Sequence, residues 1–117
     1  MPAKRVILEM GSGNDLHGGD YTKAAVRAVE DAIHHSSLPF VRSLGLNAAQ
    51  MEVAVTIGVQ RPERVDRAAV AAVLPHGKVA VSVVKGGLDV ADEDGRDSAV
   101  IASAAVAVRI DLPQARR

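Results

Sequence analysis

The chain has 117 residues, enough for one hydrophobic core and too few for two that each bury adequate apolar surface. Fourteen Lys and Arg balance fourteen Asp and Glu, and Tyr21 and Phe40 are the only aromatic residues, so no basic stripe interleaved with aromatics exists to bind nucleic acid. The absence of cysteine excludes disulfides, zinc-thiolate centres and thiol catalysis, and no apolar run approaches the ~20 residues of a membrane span, so a cytoplasmic protein without membrane contact is expected.

In chain order, Arg5 to Met10 is a short apolar run ending in glycine and predicts a buried strand. Gly11-Ser12-Gly13-Asn14-Asp15-Leu16-His17-Gly18-Gly19-Asp20 then reads as a turn-rich loop. Asp20 or Thr22 caps a helix to about Ser36, with Ala25, Val26, Val29, Ala32 and Ile33 on one face, Arg27 and Asp31 paired on the other, and Pro39 beyond its end. Phe40 to Gln50 reads as a connection. Met51 to Gln60 alternates strictly and predicts a second strand. Pro62 suits the first position of a helix that Pro75 ends.

Lys78 to Val84 predicts a third strand, closed by Gly86-Gly87. An acidic loop from Asp89 to Asp97, with the turn pair Asp94-Gly95, leads to a long strand from about Ala99 to Asp111, and Pro113 to Arg117 reads as a tail. Strand, helix, strand, helix, strand, strand defines an α+β two-layer sandwich: a mixed four-stranded sheet, its last strand antiparallel, with two helices on one face. The other face is Ala, Val, Thr and Ser rather than charge, and a core without aromatics is weak, so association of subunits is expected.

Chemistry concentrates in the glycine loop. A dinucleotide site does not fit: a third glycine would fall at Leu16, and no acid ends the second strand to hold a ribose. No Gly-Lys-Ser/Thr follows to make a phosphate loop. Asp15 and His17, two apart, suit either a divalent metal or a proton-transfer pair, and they equally suit an ordinary turn with a solvated histidine. His34-His35 fits the C-terminal end of the first helix, where the dipole favours cations. Glu52 and Arg109 interrupt apolar strands and suit a cross-sheet pair. Lys85-Gly86-Gly87 forms a second glycine site, either a strand-ending turn or a ligand contact.

The segment Gly11-x-Gly13-x-Asp15-x-His17-Gly18 resembles the hallmark G-x-G-x-D-x-H-G of a conserved hypothetical family known by a Lin-type locus name. The likeness continues through Thr22-Lys23-Ala24-Ala25, Ser37-Leu38-Pro39-Phe40 and Gly86-Gly87-Leu88. It implies a working site at Asp15 and His17 but no particular activity. The order of elements also resembles chorismate-mutase-like and endoribonuclease-like trimers, which implies a homotrimer with sites in clefts between subunits. A fainter resemblance is to one repeat of the ring-opening amidases acting on cyanuric acid and barbiturate. There the strand ends in Ser-Gly-Gly with a lysine on a neighbouring strand, whereas here Lys85 replaces the serine and Gly58 stands near the lysine position.

These readings converge on a hydrolase or lyase of a small polar or cyclic metabolite. His17 is its expected acid or base, and Asp15 orients it or shares a metal. The amides of Gly11, Gly13, Gly18, Gly86 and Gly87, with Lys23 and Lys85, are expected to bind the ligand. The alternative is a regulatory trimer that binds a small ligand or metal without turnover.

Overall fold

The computed structural model describes residues 4–34, 51–74 and 77–110. The expectations for His35, Ser36, Pro39, the 40–50 connection, Pro75 and the 113–117 tail lie outside the described residues. Among the described residues five strands form one mixed sheet: β1 (Lys4–Asp15), β2 (Glu52–Val59), β3 (Lys78–Lys85), β4 (Leu88–Ala91) and β5 (Ser98–Ile110). Among the described residues, helices α1 (Tyr21–His34) and α2 (Arg67–Ala71) follow the expected order of an α+β fold, with β4 as an additional strand. Among the described residues no helix is long and apolar enough to cross a membrane.

The sheet runs β1-β5-β2-β3. The long β5 pairs antiparallel with β1 on one edge and with β2 on the other, so β1 and β2 run the same way with β5 between them. β2 and β3 are parallel, as their helical crossover requires. β4 lies on the β2 side of β5, pairing Leu88 with Ile101 just past the point where Gly58 faces Ser103. β3 therefore passes across the end of β2 into β4.

Gly86 and Gly87 make that passage. A Cβ on Gly86 would stand 3.2 Å from Gly58 Cα, and one on Gly87, whose φ is +65°, would stand 2.1 Å from the Ile101 carbonyl oxygen. Gln60 fastens the crossing by donating from Nε2 to the carbonyls of Gly86 and Gly87 at 3.1 and 3.2 Å.

β1 is longer than its hydropathy predicts, running through the glycines to Asp15. Gly11 and Gly13 lie within the strand, paired with Ala104 and Ala102 of β5. α1 crosses directly above them. A Cβ on Gly11 would sit 2.4 Å from Ala32 N, and one on Gly13 2.3 Å from Ala28 N. Only glycine admits a helix backbone so close. The helix answers with Ala24, Ala25, Ala28 and Ala32, all fully buried. The glycines thus read as breakers in sequence because the signal for close approach and the signal for a turn are the same residue.

The rest of the core comes from alternate strand positions: Val53, Val55, Ile57 and Val59 of β2, and Val100, Ala102, Ala104, Val106 and Val108 of β5. Each fully buried valine or isoleucine contributes roughly 1.5–3 kcal/mol by area withdrawn from water. On the opposite sheet face Leu8, Met10, Val84, Leu88 and Val90 are exposed.

The second helix is also shorter than expected. Pro62–Arg64 forms a single 3-10 turn, and α2 begins afresh at Arg67. Asp66 causes the break by capping α2, its Oδ1 accepting from Ala68 N and Ala69 N at 3.0 and 3.3 Å. Thr22 ties this segment to α1, its hydroxyl accepting from Asp66 N at 2.9 Å.

Candidate functional site

Asp20 caps α1: its Oδ1 accepts from Lys23 N at 3.0 Å and its carbonyl accepts from Ala24 N at 3.1 Å. Asp15 stands behind that cap, 4% exposed and the one buried charged residue among those described. Its Oδ2 accepts from Asp20 N at 3.0 Å. Lys23 Nζ and Arg27 Nη1 approach its Oδ1 at 3.7 and 3.8 Å. Arg27 also donates to the Asn14 carbonyl at 2.7 Å, so it turns toward β1 rather than serving only its own helix face.

This arrangement does not suit a metal. The Asp15 carboxylate already faces two cations and a backbone donor, and among the described residues no three His, Cys, Asp or Glu side chains gather. Lys23, expected to meet a ligand, sits on Asp15.

His17 is not with Asp15. Its Nδ1 lies 3.3 Å from Oδ2 of Asp97, across the fold. Asp97 Oδ1 accepts from Gly18 N at 2.9 Å and from Ser98 N at 2.8 Å. Those two amides, more than the imidazole, hold the Asp97 carboxyl below its usual range. The residue that orients His17 is therefore Asp97, which closes the hairpin between β4 and β5. Gly18, with φ +94°, makes the turn that brings its amide there.

The strand glycines take a different role from the one expected. Ser12 N points outward to Asp31 Oδ2 at 2.9 Å, and the Asn14 carbonyl points outward to Arg27. By strand alternation Gly11 and Gly13 turn their amides inward to β5, where the sheet uses them. Gly86 N is likewise engaged, donating to the Val59 carbonyl at 2.9 Å. Lys85 is exposed at the end of β3. Glu52 and Arg109 face each other directly across β2 and β5.

Beside the Gly18–Asp97 contact opens a cleft of about 360 Å³, with Gly18, Gly19, Tyr21, Arg61, Arg64 and Asp89 among its lining. Arg96 and Asp97 line it as well. The buried Tyr21 hydroxyl donates to Asp89 Oδ2. Burial first, and then that hydrogen bond, raise the Tyr21 pKa and keep the phenol protonated. The other Asp89 oxygen is buried and lacks a hydrogen-bond partner. The Arg64 guanidinium lies 5.4 Å from the centre of the Tyr21 ring.

A second concavity, about 580 Å³, lies by Met10, Ser12, Thr56, Gly58 and Ser103, but its lining is small and mostly apolar. The cleft by Tyr21 brings charged, polar and conformationally held groups together, and it is the candidate site. Tyr21, Arg61, Arg64, Asp89, Arg96 and Asp97 escape sequence reasoning as site residues. Two signals pointed there: the only tyrosine, immediately after a helix cap, and an acidic hairpin loop facing it.

Fold and cleft together define a small α+β protein with a polar site at one end of a mixed sheet. Residues 5–108 match the model of a family described as "Conserved hypothetical protein (Lin0512_fam)". A crystal structure described as an FtsZ-like protein of unknown function, from Nostoc punctiforme PCC 73102, is similar to this chain at 40% identity and a TM-score of 0.84, covering 96% of this chain and 99% of that one. No curated protein matches. The chain belongs to the Lin0512 family of conserved hypothetical proteins, as its Gly11–Gly18 segment implied.

Proposed function

We propose that the protein is a hydrolase or lyase of a small polar metabolite, with His17 as general acid or base and the Tyr21 cleft as its ligand site. One observation carries this reading: the imidazole is held by a carboxylate that is itself fixed by two backbone amides, at the edge of a polar cleft. With Nδ1–H donated to Asp97, the lone pair lies on Nε2, which leaves that nitrogen to take up or return a proton. Asp97 takes the orienting role first expected of Asp15.

The His17 side chain is 89% exposed, so the chemistry needs a cover that excludes water. A homotrimer supplies it in this reading. Leu8, Met10 (71% exposed), Val84, Leu88 and Val90 make the open sheet face an apolar surface suited to another copy of a chain with no net charge. β4 carries Asp89 toward the cleft and Leu88 and Val90 toward that open face, so assembly would brace the strand that holds Asp89. Sedimentation equilibrium at micromolar concentration should return a trimer mass; a monomer mass would remove the trimer from the account.

The enzymatic test is an NMR-monitored panel of small esters, amides and cyclic imides incubated with wild type and His17→Ala. Loss of turnover by about a hundredfold or more supports the acid-base role. Full turnover in the variant contradicts it. A binding-only protein is the second reading, favoured by the placement of His17 outside the cleft lining. It predicts ligand-dependent stabilisation with the ligand recovered unchanged.

A further inference from the structure

The charges of the cleft do not cancel. Arg61, Arg64 and Arg96 meet Asp89 and Asp97 there. Asp97 is satisfied by Gly18 N, Ser98 N and His17, and Asp89 takes the Tyr21 hydroxyl. Arg96 lies 3.7 Å from its neighbour Asp94. Among the described residues no ion pair is recorded for Arg61 or Arg64, although both act electrostatically on the Tyr21 hydroxyl.

Both arginines line the same cleft. Arg61 precedes the 3-10 turn and Arg64 ends it, and Arg64 N donates to the Arg61 carbonyl at 3.1 Å. Asp66 N bonds to Thr22 at 2.9 Å, so the turn is fastened to the start of α1 beside Tyr21. The Arg64 guanidinium carbon lies over the Tyr21 ring, 5.4 Å from its centre. The buried, unpartnered Asp89 oxygen disfavours an anion beside it, so the favourable position for one is against the exposed Arg61 and Arg64.

We infer that Arg61 and Arg64 form an oxyanion subsite that takes a carboxylate or phosphate group of the ligand. This rests on the reading that the cleft is the ligand site, but not on His17 acting in catalysis. Planar guanidinium forks match the paired oxygens of both groups, whereas chloride offers only charge.

Calorimetric titration of the folded protein at constant ionic strength tests it, with malonate, inorganic phosphate and chloride as probes. Wild type should bind malonate or phosphate saturably and chloride much more weakly; which oxyanion binds tighter identifies the source chemistry. Arg61→Gln and Arg64→Gln should each lose about tenfold or more in affinity, Arg61→Lys and Arg64→Lys should fall between, and Arg67→Gln on α2 should match wild type. Melting curves of every variant identify those that remain folded, and the Lys variants carry the comparison if a Gln variant unfolds. Equal affinity in the Arg61, Arg64 and Arg67 variants, equal binding of chloride, or no saturable binding of malonate and phosphate would each overturn the subsite. Oxyanion binding that depends on the arginines while His17→Ala keeps full turnover would instead leave the subsite standing and remove the acid-base role.

Discussion

Asp97 holds the imidazole of His17 from 80 positions further along the chain, with Nδ1 and Oδ2 3.3 Å apart. The contact joins the turn that ends β1 to the turn that begins β5, and the Gly18 amide adds a second link through the same carboxylate. Whatever the cleft does, this carboxylate fixes one of its walls.

That fixing has a pH signature. Asp97 is depressed below its ordinary value of 3.8, so folding favours the ionised form. The stability it contributes is present above pH ~4 and is lost as pH falls through the lowered folded-state value. Acid melting curves of wild type and Asp97→Asn should therefore differ at pH 6 and converge as both are taken below pH 3. A difference that stays constant across this range would contradict the linkage.

The strand glycines give a packing prediction. Gly13→Ala forces a methyl group against Ala28 N and the Ala24 carbonyl of α1, 2.3 and 2.5 Å away. The expected cost is about 2 kcal/mol or more, because helix backbone must move. Ser12→Ala, one residue away on the opposite sheet face, should change stability by no more than about 0.5 kcal/mol. Urea denaturation with an unchanged slope for both proteins checks the comparison.

These glycines also mark the limit of what the chain order alone reveals. Strict alternation in Met51–Gln60 and in the segment that became β5 identified the strands, and the helical spacing of Val26, Val29 and Ile33, widened by Ala25 and Ala32, identified α1, although Val26 and Ile33 are only partly buried. Gly11 and Gly13 looked like a loop because a strand that must accept a helix backbone and a chain that must turn both select glycine. Asp15 and His17 looked like partners because they are two apart. The strand ends at Asp15 and the chain bends through Leu16–Gly18, so the two side chains part: Asp15 went to the helix side while His17 met Asp97. The cleft itself is non-local: Tyr21, Arg64 and Asp89 are assembled by the crossing at Gly86-Gly87 and by the Thr22 tie, and neither leaves a periodic trace.

Asp15 offers a separate test of the metal reading. Replacing it by Asn keeps the shape but removes the charge that Lys23 and Arg27 approach. Both cations are about half-exposed, which limits the penalty, and a loss of about 1–3 kcal/mol is expected. Added Mg²⁺, Mn²⁺ or Zn²⁺ should leave the wild-type melting temperature unchanged. A saturable metal-dependent rise that Asp15→Asn abolishes would restore Asp15 as a ligand.

Tyr21 gives the alkaline counterpart to Asp97. Its pKa is raised above 10.0, so folding favours the protonated phenol. The associated stability is present below pH ~10 and is lost as pH rises through the raised value. Tyr21→Phe removes the donor to Asp89 and should be less stable than wild type by about 1–3 kcal/mol at pH 8, with the gap narrowing toward pH 11. Ultraviolet titration of the single tyrosine follows the same event directly.

If ligands bind in the cleft beside Tyr21, amide chemical-shift mapping during titration with malonate will show it. Shifts should concentrate at Gly18, Gly19, Arg64, Gly95 and Ser98 and saturate together. Shifts concentrated instead at Ser12, Thr56 and Ser103 in the other concavity, or none at saturating malonate, would contradict it.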